Sequence, residues 1–327
     1  MTTKPFTEAV LPALSESPKI SVVILNYKRL PALEQSVQSA LMQTYANREI
    51  IVVDNHSEED VAGLVHRLDP GIRLVELPDN RGTCGGRNAG IEVATGDIII
   101  TLDNDVHFAS PFELTKVVAK MQQRPDVHVL AFQMCDADSG NIRIREWCHA
   151  RHWKEFGQTE FDTFYFVEGA CAMRREVFEQ AGDYYGPLFI GCEGHDLAMR
   201  VLDHGFRILY TPNIRVLHLM SAETRTSDRP YYFYTRNYVW IAFKDYRVLP
   251  GLEFLLPKLA MMLLFAIRTG KIRAYFRGVW HGFKGLPQVW RDRTPVKRQT
   301  LRYLAELERW RPNLFLRLAR HKAQPQI

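Results

Sequence analysis

No two cysteines in this chain stand at the C-x-x-C spacing. The five present, Cys84, Cys135, Cys148, Cys171 and Cys192, are odd in number and scattered. That argues against a disulfide framework and against a structural zinc site, and a reducing, cytoplasmic setting fits. Long apolar runs are missing too. The best candidate, 254–267, is interrupted by Pro257 and Lys258, whereas a spanning helix needs about 20 apolar residues. The N-terminus lacks a basic start followed by an apolar stretch, so no secretory signal is expected. There is no internal repeat and no low-complexity segment. Phosphate-loop signatures are absent as well. The glycine-rich segment 80–90 has no Gly-Lys-Ser/Thr, is not G-x-G-x-x-G, and follows the third strand pattern instead of the first.

What is there is a globular composition. The 327 residues are 46% apolar and 24% charged, which excludes a disordered or fibrous chain and allows two domains, or one large domain with an appendage. The net charge of +5 hides a split. Residues 226–327 hold 20 lysines and arginines against 6 aspartates and glutamates, leaving 22 basic and 31 acidic residues in 1–225. An acidic body with a basic tail points to an anionic partner for the tail.

Strand and helix patterns alternate through the first half. Short apolar, β-branched runs at 20–25, 49–53, 72–76 and 97–102 predict buried strands. Helical spacing fills 31–41 and 82–94, and Ser57, three residues before Asp60, resembles the start of a capped helix between them. Strands about 25 residues apart with helices between them imply a parallel α/β sheet, whose ligands sit beyond the carboxyl ends of the strands. Polar clusters fall there: Asn26-Tyr27, Asp54-Asn55 and Asp103-Asn-Asp105. Further on, the pattern predicts a helix at 111–122, a strand at 127–133, an edge hairpin with a loop at 140–166 and a helix at 173–181. A helix starting near Gly194 and strands at 206–210 and 214–218 complete it.

Asp103 and Asp105 are the sharpest local feature. Carboxylates at i and i+2 of a strand end point to one side and repel unless a cation lies between them. Their hard oxygens suit Mg²⁺ or Mn²⁺, which would neutralise a diphosphate leaving group. A solvated turn would use the same residues. The 80–90 segment reads as a phosphate-binding helix N-terminus aided by Arg81 and Arg87, or as a tight packing turn. Asp54 can accept the N3–H of a uracil or thymine ring, or cap a turn. Glu193 and Asp196 are candidates for a general base, although Asp196 and Arg200 also form an i,i+4 pair. His218 ends a strand pattern and offers a neutral imidazole to a metal.

Together these residues resemble glycosyltransferase family 2, inverting enzymes of the GT-A fold, with the bacterial rhamnosyltransferase-like enzymes of cell-surface polysaccharides nearest in pattern. The matching pieces are 21–27, 49–55 with Ser57, Asn80-Arg-Gly with Arg87-Asn-Ala-Gly90, and Leu102-Asp-Asn-Asp105. Later come Val167-Glu-Gly-Ala170 with Met173-Arg-Arg, 193–200, 205–212 and Val216-Leu-His218. The resemblance spans 18–222 and implies a GT-A catalytic domain at 18–225, between an N-terminal extension (1–17) and a C-terminal helical region (226–327). It implies a sugar nucleotide, UDP- or dTDP-linked, with dTDP-rhamnose among the candidates, held by Leu25, Asn26, Tyr27, Arg29, Asp54, Asn55, Arg81, Gly82, Arg87, Asn88, Asp103 and Asn104. It implies Mn²⁺ or Mg²⁺ on Asp105, with Asp103 and His218, and a base at Glu193, preferred over Asp196. The family's acidic motif is usually Glu-Asp-x-Asp, and here Gly194 stands at the second acid.

Basic residues of the tail are interleaved with aromatics and leucines, among them Arg268, Lys271, Arg273 and Arg277 beside Trp280, Phe283 and Trp290. That composition fits helices lying in the interface of an anionic membrane, here the inner face of the cell membrane, or a helical lid on the acidic body. No nucleic-acid motif appears. A lipid-linked acceptor would explain such a tail, and the resemblance also allows a glycan acceptor. Two alternatives stay open: a nucleotidyltransferase, although the turn after the first strand lacks the glycines that would need, and an inactive sugar-nucleotide-binding scaffold, to which Gly194 lends support.

Overall fold

The computed structural model describes residues 14–219 and 228–310. Its first half is a regular alternation: β1 (Ile20–Asn26), α1 (Leu30–Leu41), β2 (Arg48–Asp54), α2 (Val61–Leu68), β3 (Arg73–Glu76), α3 (Gly82–Val93) and β4 (Ile98–Asp103). These four strands are parallel in the order β3-β2-β1-β4. Every residue of β1 is buried, because helices cover both faces of a central parallel strand. On one face Ile24 meets Leu33 of α1 and Leu64 of α2; on the other Val23 meets Cys84 and Ile91 of α3.

The second half turns the sheet mixed. Its elements are β5 (Val106–Phe108), α4 (Glu113–Gln123), β6 (Val129–Asp136), α5 (Trp153–Phe156), β7 (Phe161–Asp162), β8 (Ala170–Arg174), α6 (Arg175–Ala181), α7 (Glu193–Asp203) and β9 (Ile208–His218). The sheet continues β4-β8-β6-β9-β5, with β8 antiparallel to β4 and β7 paired to β9.

Several expectations change. The helix after β2 is capped by Asp60, which accepts from Gly63 N at 2.8 Å, while Ser57 turns inward to Asp54. The helix expected at 173–181 forms from Arg175 to Ala181 as α6, and the strand β8 just before it takes Met173 and Arg174. No hairpin forms across 140–166; α5 and the two-residue β7 lie there. The strands expected at 206–210 and 214–218 are one strand, β9, whose register against β6 jumps from Thr211 to Arg215. Pro212 falls inside that irregularity, where the ladder asks no N–H of it.

The C-terminal helices are α8 (Arg229–Lys244), α9 (Val248–Arg268), α10 (Ile272–Lys284), α11 (Leu286–Arg291) and α12 (Arg298–Glu308). α8 packs on the body: Ile241 joins the core with α7, and Asn237 Nδ2 donates to the carbonyls of Leu188, Ile190 and Gly191. α9 runs unbroken through Pro257 for 21 residues, which corrects the expectation of an interrupted, shorter segment. By length and composition alone it is able to cross a membrane. Proline removes one backbone donor and kinks a helix, but leaves its remaining hydrogen bonds standing. The domain boundary expected at 225 falls in 220–227, and most of the 1–17 extension in 1–13, both outside the described residues.

Candidate active site

Register puts the strand-end residues side by side: Asn26 opposite Asp54, and Leu25 opposite Asp103. A chain of buried amides connects them. Asn104 Nδ2 donates to Asn26 Oδ1 at 2.9 Å and to the Lys28 carbonyl at 2.7 Å, and Asn26 Nδ2 donates to Asp54 Oδ1 at 3.2 Å. Ser57 adds its hydroxyl at 2.5 Å and its N–H at 3.3 Å to the same oxygen of Asp54. All of these bonds fall on Oδ1, so Asp54 keeps Oδ2 for another partner. Tyr27 stands at the lip, 37% exposed. Lys28 and Arg29 follow with φ of 65° and 63°, and His56 and Glu58 after β2 have φ of 64° and 62°. Left-handed backbone at non-glycine residues is costly and gathers where the surrounding structure enforces it.

Asp103 and Asp105 pair with different guanidinium groups. Asp103 Oδ1 takes Arg87 Nη2 at 2.5 Å, whereas Asp105 Oδ2 takes Arg29 Nη1 at 2.6 Å. Asp105 Oδ1 faces His218 Nε2 at 3.4 Å, and His218 Nδ1 is held by Glu146 at 2.9 Å. Burial alone would lower the His218 imidazole, but the hydrogen-bonded carboxylates of Asp105 and Glu146 outweigh it and push it up to about 9. Burial likewise works to raise Asp105, and His218 and Arg29 hold it below the usual carboxylate range.

This donor set fits a hard divalent ion bound with a substrate diphosphate. One carboxylate and one imidazole converge, the Arg29 guanidinium stands beside them as a cation in its own right, and Glu146 orients the imidazole as outer-shell carboxylates do. Among the described residues no three potential ligands gather into a complete protein cage, and Mg²⁺ with substrate phosphates does not need one.

The glycine-rich turn is a packing device, not an open phosphate cradle. The Phe189 carbonyl accepts from Cys84 N at 3.3 Å and Thr83 Oγ1 at 3.0 Å, covering the N-terminus of α3. Gly82, at φ 69°, admits that carbonyl because it has no side chain. Asn55 ties the turn to β2, donating to Asn80 Oδ1 at 3.1 Å and the Gly82 carbonyl at 3.0 Å. Asn88 spends both ends on the Tyr184 backbone. Arg87 is buried, with Nη1 also 3.5 Å from Glu193 Oε1; Arg81 is exposed. Leu25 is a core residue packed under α3.

At α7, Glu193 is 5% exposed; its Oε1 takes Thr83 Oγ1 at 2.5 Å and its Oε2 is buried without a partner. Asp196 is fully buried between Lys244 Nζ at 2.6 Å and Arg200 Nη2 at 2.6 Å. Burial opposes its charge, but those two cations hold it below the usual range. Enclosure and ion pairing commit both oxygens of Asp196 to Lys244 and Arg200. Sequence reasoning passed over Glu168, whose Oε1 accepts the Gly194 N–H. Burial first, and then Glu193, push Glu168 above the usual carboxylate range. Its position within Val167-Glu-Gly-Ala170 was the available signal. Glu146 was also missed, and no local pattern marks it.

Acids and amides lined up at the ends of parallel strands stand where α/β proteins of this architecture hold their ligands. Residues 21–182 match the family described as Glycosyl transferase family 2, and the chain belongs to that family. It is similar to the O-antigen biosynthesis protein RfbC of Myxococcus xanthus, 29% identical over 71% of this chain and 19% of that protein. It is 25% identical to an N-acetylglucosaminyltransferase of Bradyrhizobium diazoefficiens over 72% of this chain and 52% of that one. The chain therefore spans about half, or less, of the length of these relatives. Two solved structures share the fold. One is the mannosyltransferase PcManGT from Pyrobaculum calidifontis in complex with GDP-Man and Mn²⁺ (TM-score 0.55, 19% identity, 93% of this chain and 88% of that one). The other is GalNAc-T7 with UDP, GalNAc and Mn²⁺ (TM-score 0.58, 18% identity, 77% and 55%). The mixed sheet with flanking helices is the GT-A fold.

Proposed function

We propose that this protein is a metal-dependent, inverting glycosyltransferase of cell-surface polysaccharide synthesis. The sugar comes from a UDP- or dTDP-linked donor and goes to a hydroxyl of a glycan or lipid-linked acceptor. The observation that carries the reading is the hydrogen-bonded line Asp54–Asn26–Asn104 across three strand ends, with Asp105 and His218 converging beside it.

In this reading Asp54 Oδ2 accepts the nucleobase N3–H, and Tyr27 lies along the ring. Asp105 and His218 would hold Mn²⁺ or Mg²⁺, which neutralises charge developing on the diphosphate. The two solved neighbours, each with Mn²⁺ and a nucleotide, support that ion class. A carboxylate beside the N-terminus of α7 takes the acceptor proton; the acceptor oxygen bonds to the anomeric carbon as the bond to the diphosphate breaks and its electron pair leaves with the phosphate. One displacement inverts the centre.

The tail supports work at a membrane surface on the cytoplasmic side. Leu249, Leu256, Ile267, Phe276, Trp280 and Trp290 are exposed on α9, α10 and α11, among basic residues that anionic lipid attracts by about 1 kcal/mol each. Thermal-shift screening of UDP-, dTDP- and GDP-sugars with and without Mn²⁺ tests the donor reading. Stabilisation by one donor that needs the ion is expected; no stabilisation by any donor defeats it.

A further inference from the structure

The departure at Gly194 and the unexpected Glu168 are one feature. A Cβ built on Gly194 would stand 2.8 Å from Glu168 Cδ and 3.1 Å from its Cγ, so a side chain there would force the Glu168 carboxyl to move aside. The Glu168 carboxyl fills the volume that an acid at 194 would need, and the Gly194 N–H holds it there. We propose that Glu168 is the catalytic base, a carboxylate supplied from the loop before β8 in place of the acid missing from α7. The inference rests on the glycosyl-transfer reading above.

Placement supports it from both sides. The next residue, Gly169, lies against the strand-end acid: a Cβ there would stand 2.8 Å from Asp103 Oδ1, and the Gly169 carbonyl accepts the Asp103 N–H at 3.4 Å. Glu168-Gly169 thus bridges the tip of β4 and the start of α7, the two places between which donor and acceptor must meet. The other acids of α7 are committed. Glu193 is enclosed under Thr83 and Arg87, and Asp196 is locked between Arg200 and Lys244. Glu168 is only half-buried, and among the described residues no other side chain engages its second oxygen. Glu193, with one oxygen buried and unpartnered, becomes a positioning residue that fixes Arg87 and Thr83. In the step itself, Glu168 takes the proton of the acceptor hydroxyl as the oxygen–carbon bond forms and the nucleoside diphosphate departs.

The test uses the full chain with UDP-N-acetylglucosamine, UDP-glucose, GDP-mannose and dTDP-rhamnose as probes, with Mn²⁺, reading nucleoside diphosphate release and donor-induced melting shifts. Glu168→Gln keeps the size and the acceptor for the Gly194 N–H. It is expected to lower turnover by about 10²- to 10⁴-fold, the usual contribution of general-base catalysis, with the donor-induced melting shift unchanged. Glu168→Ser is expected to be as poor. Combined with Gly194→Asp, it is expected to regain at least tenfold, because the serine vacates the space that the new aspartate enters. Turnover of Glu168→Gln within about threefold of wild type overturns the assignment. So does a folded double variant no more active than Glu168→Ser. A wild type that releases diphosphate from none of the donors overturns the transfer reading itself, a different result from either of these.

Discussion

Lys244 Nζ donates to Asp196 Oδ1 at 2.6 Å, from the last turn of α8 to the first turn of α7, with both side chains buried. The same ammonium reaches Asp245 at 2.9 Å, and Asp196 also holds Arg200, which donates to the carbonyls of Ala181, Gly182 and Asp183. Removing one member leaves buried charge uncompensated, which costs on the order of 3–5 kcal/mol. Asp196→Asn is therefore expected to lower the urea midpoint by that equivalent at pH 7. A change under about 1 kcal/mol would show the pair to be dispensable.

Asp105→Asn tests the ion site. The variant keeps the shape but only one of the two oxygens that accept from Arg29 and His218, and it weakens the attraction for a divalent cation. The extra melting shift that Mn²⁺ adds to a bound nucleotide sugar is expected to disappear, while the metal-free melting temperature stays within a few degrees. Persistence of the Mn²⁺ increment removes Asp105 from the site.

Asn26→Ala cuts the amide line at its centre. Asn104 Nδ2 loses one acceptor and Asp54 one donor in a buried place, a loss of about 1–3 kcal/mol. Nucleotide affinity is expected to fall with the orientation of Asp54, read by titrating UDP or dTDP. Unchanged affinity would detach this line from base recognition.

His128 predicts a pH effect on stability. Burial, aided by the neighbouring Arg174, lowers its imidazole from 6.5 to about 4. A folded-state value below the unfolded one means that the unfolded chain takes the proton more readily. Stability is therefore complete above pH 6.5 and falls as the pH drops toward 4, by at most about 3 kcal/mol from this group. Denaturation midpoints at pH 7, 5.5 and 4.5 check it, and His128→Asn is expected to flatten that part of the curve. Glu49 acts lower down: burial works to raise it, but Ser21, Thr95 and Lys19 bring it to about 2, so its contribution is lost below pH 4.5.

Leu256→Ser with Trp280→Ser tests the tail. These side chains are 62% and 67% exposed, so folding is expected to be untouched while flotation with anionic vesicles at low salt is lost. Wild-type protein that stays in the soluble fraction under those conditions favours the lid.

The four parallel strands were legible because a strand buried on both faces must be apolar throughout, and the acids that end it then stand out. Asp54 and Asp105 were legible for that reason. Strand β8 was not: Ala170-Cys-Ala-Met-Arg174 has no β-branched residue, and its pairing with β4 and β6 overrides local preference. The split reading of β9 came from Pro212, which looks like a break until the register jump opposite β6 is seen. Glu168 and Gly194 lie 26 residues apart. A space exchanged between two loops leaves a glycine in the sequence and no hint of what fills it.

Asn237 and Arg236 give α8 a meaning for protein engineering. Together they occupy the carbonyls of Pro187, Leu188, Ile190 and Gly191, the stretch that also lends Phe189 to the start of α3. Shortening the chain to the part before α8 would strip that stretch of its donors and strand Asp196 with half its counter-charge. The C-terminal helices are thus mortared into the wall that carries Asp196 and the start of α3, so truncation before α8 is a poor route to a tractable protein.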